Sequence, residues 1–261
     1  MSAGKTLNIL ILFSMQQRKL KIDDMVEQLS YPKSSLYRHV KLLKEEGYLI
    51  EPSDNYYRLG NRFLQLATIV NEDNRLPTFI SPFMEQLRDR LNESVVLSHL
   101  SGTDHVCVQS FRGFHTLNVT ITVGERLSFL TDAGAKVMLT HLNSSLRDRV
   151  IADYLSDRVL KKHNLTKIIF LEQLKQIKSK GYAVGEDKSR DGVLSYAVPI
   201  INVEQEVVAA LSIVGPKYQM LQYETKFYVE QLKTISVQVA IYRFDGINLE
   251  SGTKIKEVKS E

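Results

Sequence analysis

The sequence has little of what several classes of protein need. Its 261 residues include one cysteine and no tryptophan. One cysteine cannot form an intrachain disulfide, so we expect a reducing compartment. No apolar run approaches the ~20 residues that a membrane-spanning helix needs. The short apolar stretch near the start has no small-residue cleavage site after it, which argues against a signal peptide. We therefore expect a cytoplasmic protein without a membrane partner.

Motifs typical of enzymes are also missing. The sequence contains no Gly-x-Ser-x-Gly elbow, no P-loop and no Gly-x-Gly-x-x-Gly turn. His99, His105, His115 and Cys107 lack the spacing of metal ligands, so we expect no metal site and no cofactor. The acidic residues have no nucleophile or electrophile partner in the sequence pattern. An enzyme is therefore not the favoured interpretation.

The excess of positive over negative charge is also small. The net charge is only +4, and residues 1–60 carry nine Lys and Arg against seven Asp and Glu. This is below the basic excess expected of a nucleic-acid-binding domain. The length suits two domains, each able to bury a core. Any nucleic-acid function must therefore depend on where the charges lie.

The stretch from Pro32 to Leu49 predicts an amphipathic helix, with Pro32 in its first turn and Gly47 at its end. At 3.6 residues per turn, the inner stripe comprises Leu36, His39, Val40 and Leu43. The opposite side comprises Ser34, Tyr37, Arg38 and Lys41. Hydroxyl, phenol and cationic groups on one face are suited to a DNA major groove. The alternative is an ordinary amphipathic helix with a solvated face.

The neighbouring segments favour the groove-reading helix. Two shorter helices are predicted before it, at Thr6–Ser14 and Ile22–Ser30. After it, Tyr48–Ile50 and Tyr56–Gly60 flank a polar turn and predict a β-hairpin. Three helices followed by a hairpin wing predict a winged helix-turn-helix domain.

Beyond residue 60 the pattern becomes mixed. Arg62–Glu72 predicts a helix that is apolar on too many sides for a free surface helix. We expect it either to pack on its own domain or to contact a second copy. We place the domains at 1–60, a linker helix at 61–75, a second domain at 76–245 and a frayed charged tail at 246–261.

The second domain is predicted to be α+β with a mainly antiparallel sheet. Its predicted helices are Pro77–Asn92, Ala133–Leu142, Ser145–Leu155, Lys167–Lys180 and Leu221–Arg243. Its predicted strands are Val95–Leu100, Val106–Phe111, Leu117–Val123, Val193–Ile201 and Val207–Val214. In the first of these helices we expect Phe79, Phe83, Leu87 and Leu91 to point inward.

The turn into the helix at Ala133–Lys136 is the best ligand site that the residues suggest. Small side chains let a ligand approach the backbone, and free amides at a helix start attract an anion. Asp132 is expected to cap this helix, and its charge would repel a carboxylate ligand. These residues are therefore as compatible with a neutral polyol or sugar as with an organic acid. The alternative is that these residues only pack a strand–helix corner.

The run PKSSLYRHVKLLKEEGYL followed by YYRLGNRFLQLA resembles the IclR family of bacterial transcriptional regulators. Val123–Leu127, Gly181–Val184, Gly192-Val193 and Ala209–Pro216 continue the resemblance along almost the whole chain. It implies a winged helix-turn-helix domain, a linker helix in a dimer contact, and a C-terminal GAF-like, effector-binding domain. A homodimer or homotetramer that acts as a repressor on double-stranded operator DNA would follow. The chain departs from the family at Leu130-Thr131-Asp132, where many relatives have His-Ala-Thr, and at Gly185, where an acidic residue is common.

Two sets of site residues follow. Arg38 is expected to contact a base, and the remaining DNA contacts are expected from Lys33, Ser34, Ser35, Tyr37, Lys41, Tyr57 and Arg58. The family resemblance implies an effector pocket formed by Leu127, Phe129, Ala133, Gly134, Gly185, Glu186, Asp187, Ser195, Ser212 and Val214. The effector would be an organic acid, an aromatic acid or a sugar-type metabolite. The alternative function is a small-molecule-binding enzyme whose N-terminal domain mediates protein contacts.

Overall fold

The computed structural model describes residues 2–52, 54–73, 75–187 and 192–240. The chain divides into two compact units, Met1–Asn74 and Arg75–Glu261. The tail expected at 246–261, and Ser53 in the predicted turn of the hairpin, lie outside the described residues. Across the ranges that are described, no helix is long and apolar enough to cross a membrane.

The first unit is a winged helix-turn-helix domain followed by a helix. Its elements are α1 Ser2–Ile11, α2 Ile22–Leu29, α3 Lys33–Glu45, β1 Leu49–Ile50, β2 Arg58–Leu59 and α4 Arg62–Asp73. The two strands pair antiparallel, which confirms the predicted hairpin. The first helix begins and ends earlier than the prediction of Thr6–Ser14, and Pro32 is the N-cap of α3 rather than part of its first turn.

Local chemistry sets where these elements end. The Asp24 carboxylate accepts the Lys21 amide at 2.8 Å at the start of α2, so a lysine that cannot itself accept is tolerated at the cap. Gly47 ends the α3 segment in a left-handed conformation with φ of 74°. Gly60 passes so close to this turn that a Cβ there would lie 2.2 Å from the Gly47 carbonyl oxygen. The wing is therefore held against the end of α3.

The second unit is built on one antiparallel sheet with the strand order β4-β3-β7-β6-β5. Its strands are β3 Ser94–Ser101, β4 Asp104–Phe111, β5 Ala183–Asp187, β6 Val193–Ile201 and β7 Val207–Pro216. Its helices are α5 Arg75–Leu91, α6 Ala133–His141, α7 Ser144–Tyr154, α8 Asp157–Lys162, α9 Lys167–Lys180, α10 Lys217–Met220 and α11 Thr225–Ala240. Helices α5 and α11 share one core with the sheet, and α6, α7 and α9 share another. The predicted α+β class is confirmed.

Three predictions about this unit need correction. Leu117–Val123 is not a strand, because the outer side of β4 bonds instead to Gly124, Glu125 and Leu127. In α5 the expected Leu87 is buried, but the expected Phe79, Phe83 and Leu91 are only half-buried against the same core, and Leu76, Ile80 and Met84 are the other buried residues. The last helix is described only over Thr225–Ala240, and it starts later than Leu221. Strand β5 and helices α8 and α10 were not predicted.

The strands beneath α6 carry a row of small side chains. It consists of Ser98, Ala183, Gly185, Ser195, Ala197, Ala210 and Ser212, which pair across the sheet. A Cβ added to Gly134 of α6 would lie 2.9 Å from the Ser212 Oγ and 3.0 Å from the Ser98 Oγ. A Cβ on Gly185 would lie 2.3 Å from the Thr131 carbonyl oxygen. The row therefore lets the start of α6 lie directly on the sheet.

Candidate nucleic-acid interface and ligand pocket

Helix α3 is divided into a buried and an exposed face as predicted. Leu36, Val40, Leu43 and His39 are at most 4% exposed. The Tyr37 side of the helix is open: Tyr37 is 51% exposed, the Lys41 side chain is 77% exposed, and Ser34 and Arg38 are also exposed. Ser35 is half-buried. The polar groups of this face are thus free to meet a partner.

The cations on and near α3 differ in how strongly they are held. Lys33 donates to Asp23 at 2.6 Å, and this contact raises the pKa of the lysine. Lys41 lies 3.8 Å from Glu45 across one turn. Within the described part of the chain, Arg38 makes no ion pair or side-chain hydrogen bond. Arg38 therefore gives up no such intrachain contact when it binds a ligand.

The wing holds its arginine with its own carboxylate. The Arg58 guanidinium donates to the two carboxylate oxygens of Asp54 at 3.0 and 2.5 Å. This pairing lowers the pKa of Asp54 to about 2. Arg58 is therefore partly neutralised before it meets any partner, which weakens the expectation of a simple phosphate contact.

Tyr57 lies in the core of the first unit rather than on its surface. It is 6% exposed, and its backbone pairs with Leu20. Burial, followed by its contact with Glu51, raises the pKa of its phenol to about 12. The expectation that Tyr57 contacts DNA is corrected on this ground: its ring supports the wing from beneath.

A basic cluster that the sequence reasoning missed lies at the wing. The Lys19 and Lys21 ammoniums sit 4.3 and 4.9 Å from the centre of the Tyr56 ring. Cations over an aromatic face gain a modest electrostatic attraction. The two lysines lie before α2 in sequence, so only the bridge between Leu20 and Tyr57 brings them to the wing. The local sequence pattern held no signal for this contact.

A cavity of about 100 Å³ opens beside the start of α6. Four residues of the expected effector set line it: Leu127, Asp187, Ser195 and Val214. The lining residues that sequence reasoning missed are Val119, Ile121, Arg126, Ser128, Thr131, Asp132 and Val193. The cavity therefore combines an apolar wall with hydroxyl and carboxylate groups, a lining that small-molecule sites share, in a volume smaller than the ~300 Å³ of pockets for drug-sized ligands.

The other expected effector residues lie behind or beside this cavity. Ala133, Gly134, Gly185 and Ser212 form the tight contact between α6 and the sheet. Phe129 is buried, with its ring centre 5.8 Å from that of Tyr154. Glu186 pairs with Lys217 at 2.7 Å. None of these six residues lines the cavity in this structure.

The first-turn amides of α6 are already partly used. The Ala133 amide donates to the Ser195 hydroxyl at 3.1 Å, and the Ala135 amide donates to the Asp132 carboxylate at 2.8 Å. Asp132 is thus the N-cap that the sequence predicted. The expectation of free amides is wrong for these two groups, because the chain supplies its own acceptors. An anion would have to displace them.

Polar groups without partners lie in the wall behind the cavity. Both ring nitrogens of His105 and the hydroxyl of Ser212 make no hydrogen bond to the described residues. His105 is 1% exposed, and burial lowers its pKa to about 3, so its ring is neutral. Its Nδ1 lies 3.9 Å from the nearer Asp132 oxygen. Unpaired buried polar groups are costly in proteins, and a hydrogen bond to ordered water or to a ligand removes that cost.

Comparisons with known proteins match both units. A family model described as the IclR helix-turn-helix domain matches residues 2–51. A second, described as the bacterial transcriptional regulator IclR C-terminal domain, matches residues 71–241. Together these matches span most of the chain.

Among curated proteins, the chain is 26% identical over 233 residues to the HTH-type transcriptional regulator XynR of Escherichia coli, covering 89% of this chain and 92% of that one. It is 23% identical over 241 residues to KipR of Bacillus subtilis, covering 90% and 94%. A solved IclR homologue from Microbacterium hydrocarbonoxydans, complexed with 4-hydroxybenzoate, superposes with a TM-score of 0.75 at 23% identity, covering 92% and 98%. The fold and the domain order are shared with these proteins.

Proposed function

Because this chain belongs to the IclR family of bacterial transcriptional regulators, and is thus a DNA-binding regulator, we propose that it is a homo-oligomeric repressor. It acts on operator DNA in the cytoplasm, and a small metabolite bound at the start of α6 sets its operator affinity. The observation that carries the DNA contact is the exposed face of α3, where no side chain of the described residues holds Arg38.

Arg38 is the proposed base contact. Arginine to guanine is the commonest specific contact in the major groove. A guanidinium that leaves no ion pair behind keeps the full gain of that contact. Tyr37 and Ser34 flank it on the exposed face. We propose that they and the half-buried Ser35 fix the register of the helix against the backbone.

The proposed phosphate contacts are made by cations at the edges of this face. Lys41 is largely exposed and only weakly paired with Glu45. Lys33 and Arg58 are paired with Asp23 and Asp54, and they must leave these carboxylates to bind a phosphate. The binding free energy that they contribute is therefore smaller. Lys19 and Lys21 join the set through their position at the wing. Tyr57 is not among the proposed DNA contacts, because its side chain is buried.

The partner proposed for α4 is a second copy of the same chain. Leu64, Ile69 and Val70 are 69, 56 and 63% exposed. Apolar side chains on this scale mark an interaction surface rather than a solvated helix. A dimer is what a groove reader with two half-sites needs.

The effector is proposed to be a small hydroxylated metabolite. Thr131, Ser128 and Ser195 offer hydroxyls to the cavity, and Asp132 and Asp187 offer acceptors. The one described cation in the lining, Arg126, is already 3.2 Å from Asp104. The 4-hydroxybenzoate of the solved homologue shows that a hydroxylated acid occupies that relative. A ligand that binds two conformations with different affinity would shift operator binding by that difference.

The DNA contact can be tested by fluorescence anisotropy with duplex DNA from upstream of the chain's own gene. Arg38→Ala is expected to cost about 1–3 kcal/mol and to relax specificity at one base pair. Lys41→Ala is expected to weaken all sequences alike and to flatten the salt slope by about one. Lys175→Ala, which removes an exposed lysine of the second unit, is the control. Unchanged affinity in both α3 variants would refute the groove assignment, and no sequence-selective binding by the unmodified protein would favour the enzyme alternative.

The effector site can be tested by a thermal-shift screen of neutral polyols, sugar acids and hydroxylated aromatic acids. Compounds that stabilise the protein are then added to the DNA-binding assay. Gly134→Val is expected to abolish the response while leaving DNA binding intact, because the added atoms meet the Ser212 and Ser98 hydroxyls. Ser195→Ala provides a milder variant that removes the acceptor of the Ala133 amide and the donor to the Gly185 carbonyl without adding atoms. A response retained by both variants would place the effector elsewhere.

A further inference from the structure

A second cavity, of about 250 Å³, lies beside β5, the strand at one edge of the sheet. It runs between helix α9 and edge strand β5, and we name it the α9 groove. Gln173, Gln176, Ile177 and Lys180 line it from the helix, and Tyr182 and Val184 line it at the strand. Lys136 of α6 closes the inner end. None of these residues lines the cavity described above.

The charged groups of the groove are all cationic. The Lys136 ammonium donates one hydrogen bond, to the Val184 carbonyl at 3.2 Å, which leaves two N–H groups. Over the residues that the structure describes, neither Lys136 nor Lys180 forms an ion pair with a carboxylate. A third ammonium, from Lys233 on α11, lies 5.9 Å from the centre of the Tyr182 ring and 3.5 Å from the Lys180 carbonyl oxygen. Among the described residues, the groove therefore has two lining ammoniums and a third beside it, while the nearby carboxylates of Asp132 and Glu186 act only to raise the pKa of Lys136.

Lys136 is the best placed of these cations. It is half-buried, and desolvation lowers its pKa, against the opposing effect of Asp132 and Glu186. An ammonium that has lost part of its water shell gains more from a bound anion than one in bulk water. Its backbone lies two residues after Gly134, so it is fixed by the tight contact between α6 and the sheet.

The rest of the lining suits the body of an organic molecule. Ile177, Val184 and the Tyr182 ring supply apolar surface, and the amides of Gln173 and Gln176 supply hydrogen bonds at the rim. The volume falls below the ~300 Å³ at which pockets for drug-sized ligands begin. A bare inorganic anion would leave the apolar surface unused. Going beyond the proposed effector site, we propose that the α9 groove is a second ligand site, which binds a small carboxylate with an apolar body.

Isothermal titration calorimetry of the full chain with benzoate tests this site. We expect saturable binding that Lys180→Gln weakens about tenfold, since one hydrogen bond to a charged group is lost. Lys136→Gln is expected to have a similar effect, and circular dichroism checks that it still folds. Lys178→Gln is the matched control, because it removes the same charge from the same helix outside the groove. Benzamide, which is neutral, is expected not to bind.

Each contrary result overturns the proposal. No saturable heat with benzoate would exclude the site, and so would equal losses in Lys180→Gln and Lys178→Gln. Equal affinity for inorganic phosphate or for benzamide would overturn the assignment of an apolar carboxylate. Loss of benzoate binding in Gly134→Val but not in Lys180→Gln would place the ligand beside the start of α6. The DNA-binding assay is separate, so failure here leaves the proposed function standing.

Discussion

Glu93 is a carboxylate buried where β3 begins. It is 3% exposed, and its Oε2 atom has no hydrogen-bond partner among the described residues. Its Oε1 atom lies 3.9 Å from the His115 ring, and a Cβ on Gly215 would lie 2.2 Å from Oε2. Burial raises the pKa of Glu93 from 4.5 to about 7. The substitution Glu93→Gln removes the charge and keeps the shape.

The direction of the pH effect follows from this raised pKa. Below pH 4.5 the carboxyl is neutral in both the folded and the unfolded chain, so folding buries no charge. As the pH rises toward 7, the unfolded chain ionises first, and above 7 the folded chain carries the full cost of a buried charge. The pKa difference corresponds to about 3 kcal/mol, at 1.36 kcal/mol per unit. Tyr228 nearby stays neutral through this range, because its own pKa is raised to about 12.

Urea denaturation at pH 5 and pH 8 measures the effect. We expect the free energy of unfolding to fall by about 2–3 kcal/mol from this group between the two values, and Glu93→Gln to abolish that loss. Glu85→Gln, at an exposed position of α5, is the matched control and should leave the pH dependence unchanged. The reasoning fails if Glu93→Gln destabilises the protein equally at both pH values. It fails equally if the unmodified protein and Glu93→Gln lose the same stability at pH 8.

Three further predictions concern other parts of the chain. Gly185→Ala should destabilise the second unit by about 1–3 kcal/mol in urea denaturation, because the added Cβ meets the Thr131 carbonyl; no loss would mean that α6 can move away. Ile69→Glu on α4 should shift the protein to monomers in analytical ultracentrifugation, whereas an unchanged mass would place the dimer contact elsewhere. Asp54→Ala should strengthen binding to all duplexes and steepen the salt dependence, because it frees Arg58; unaltered binding would remove the wing from the interface.

The sequence alone predicted the elements whose hydrophobic pattern fits only one type and orientation of secondary structure. Helix α3 has one apolar stripe and one polar face, so its orientation followed from periodicity alone. Helix α9 begins and ends as predicted, at Lys167 and Lys180, and the structure shows a Thr166 cap at its start and a left-handed Gly181 at its end. Helix α5 has two neighbouring apolar stripes, and the larger phenylalanines favoured the wrong one: Ile80 and Met84 are buried, and Phe79 and Phe83 lie at the edge of the core.

The site was less predictable because its geometry comes from contacts distant in sequence. The alternation of Leu117, Val119, Ile121 and Val123 predicted a strand. The alternation does turn Val119 and Ile121 inward, but a strand also needs a partner strand. The Val119 carbonyl accepts instead from the Ser94 hydroxyl at 2.6 Å. The Arg58–Asp54 pair and the burial of Tyr57 depend equally on the turn of the wing and on the distant Leu20. Contacts between residues distant in sequence produce no periodic pattern that could be read from the sequence.

The row of small residues beneath α6 has a mechanical consequence. Ser98, Ser212 and Gly185 contact the helix with no free space between them. A tilt of α6 would therefore open voids or force atoms to overlap. The cavity beside it therefore has one stiff wall and one compliant wall. The compliant wall is the non-strand segment that carries Val119 and Ile121. A ligand entering the cavity would do its work on that segment, while the helix serves as the anvil against which the segment is pressed.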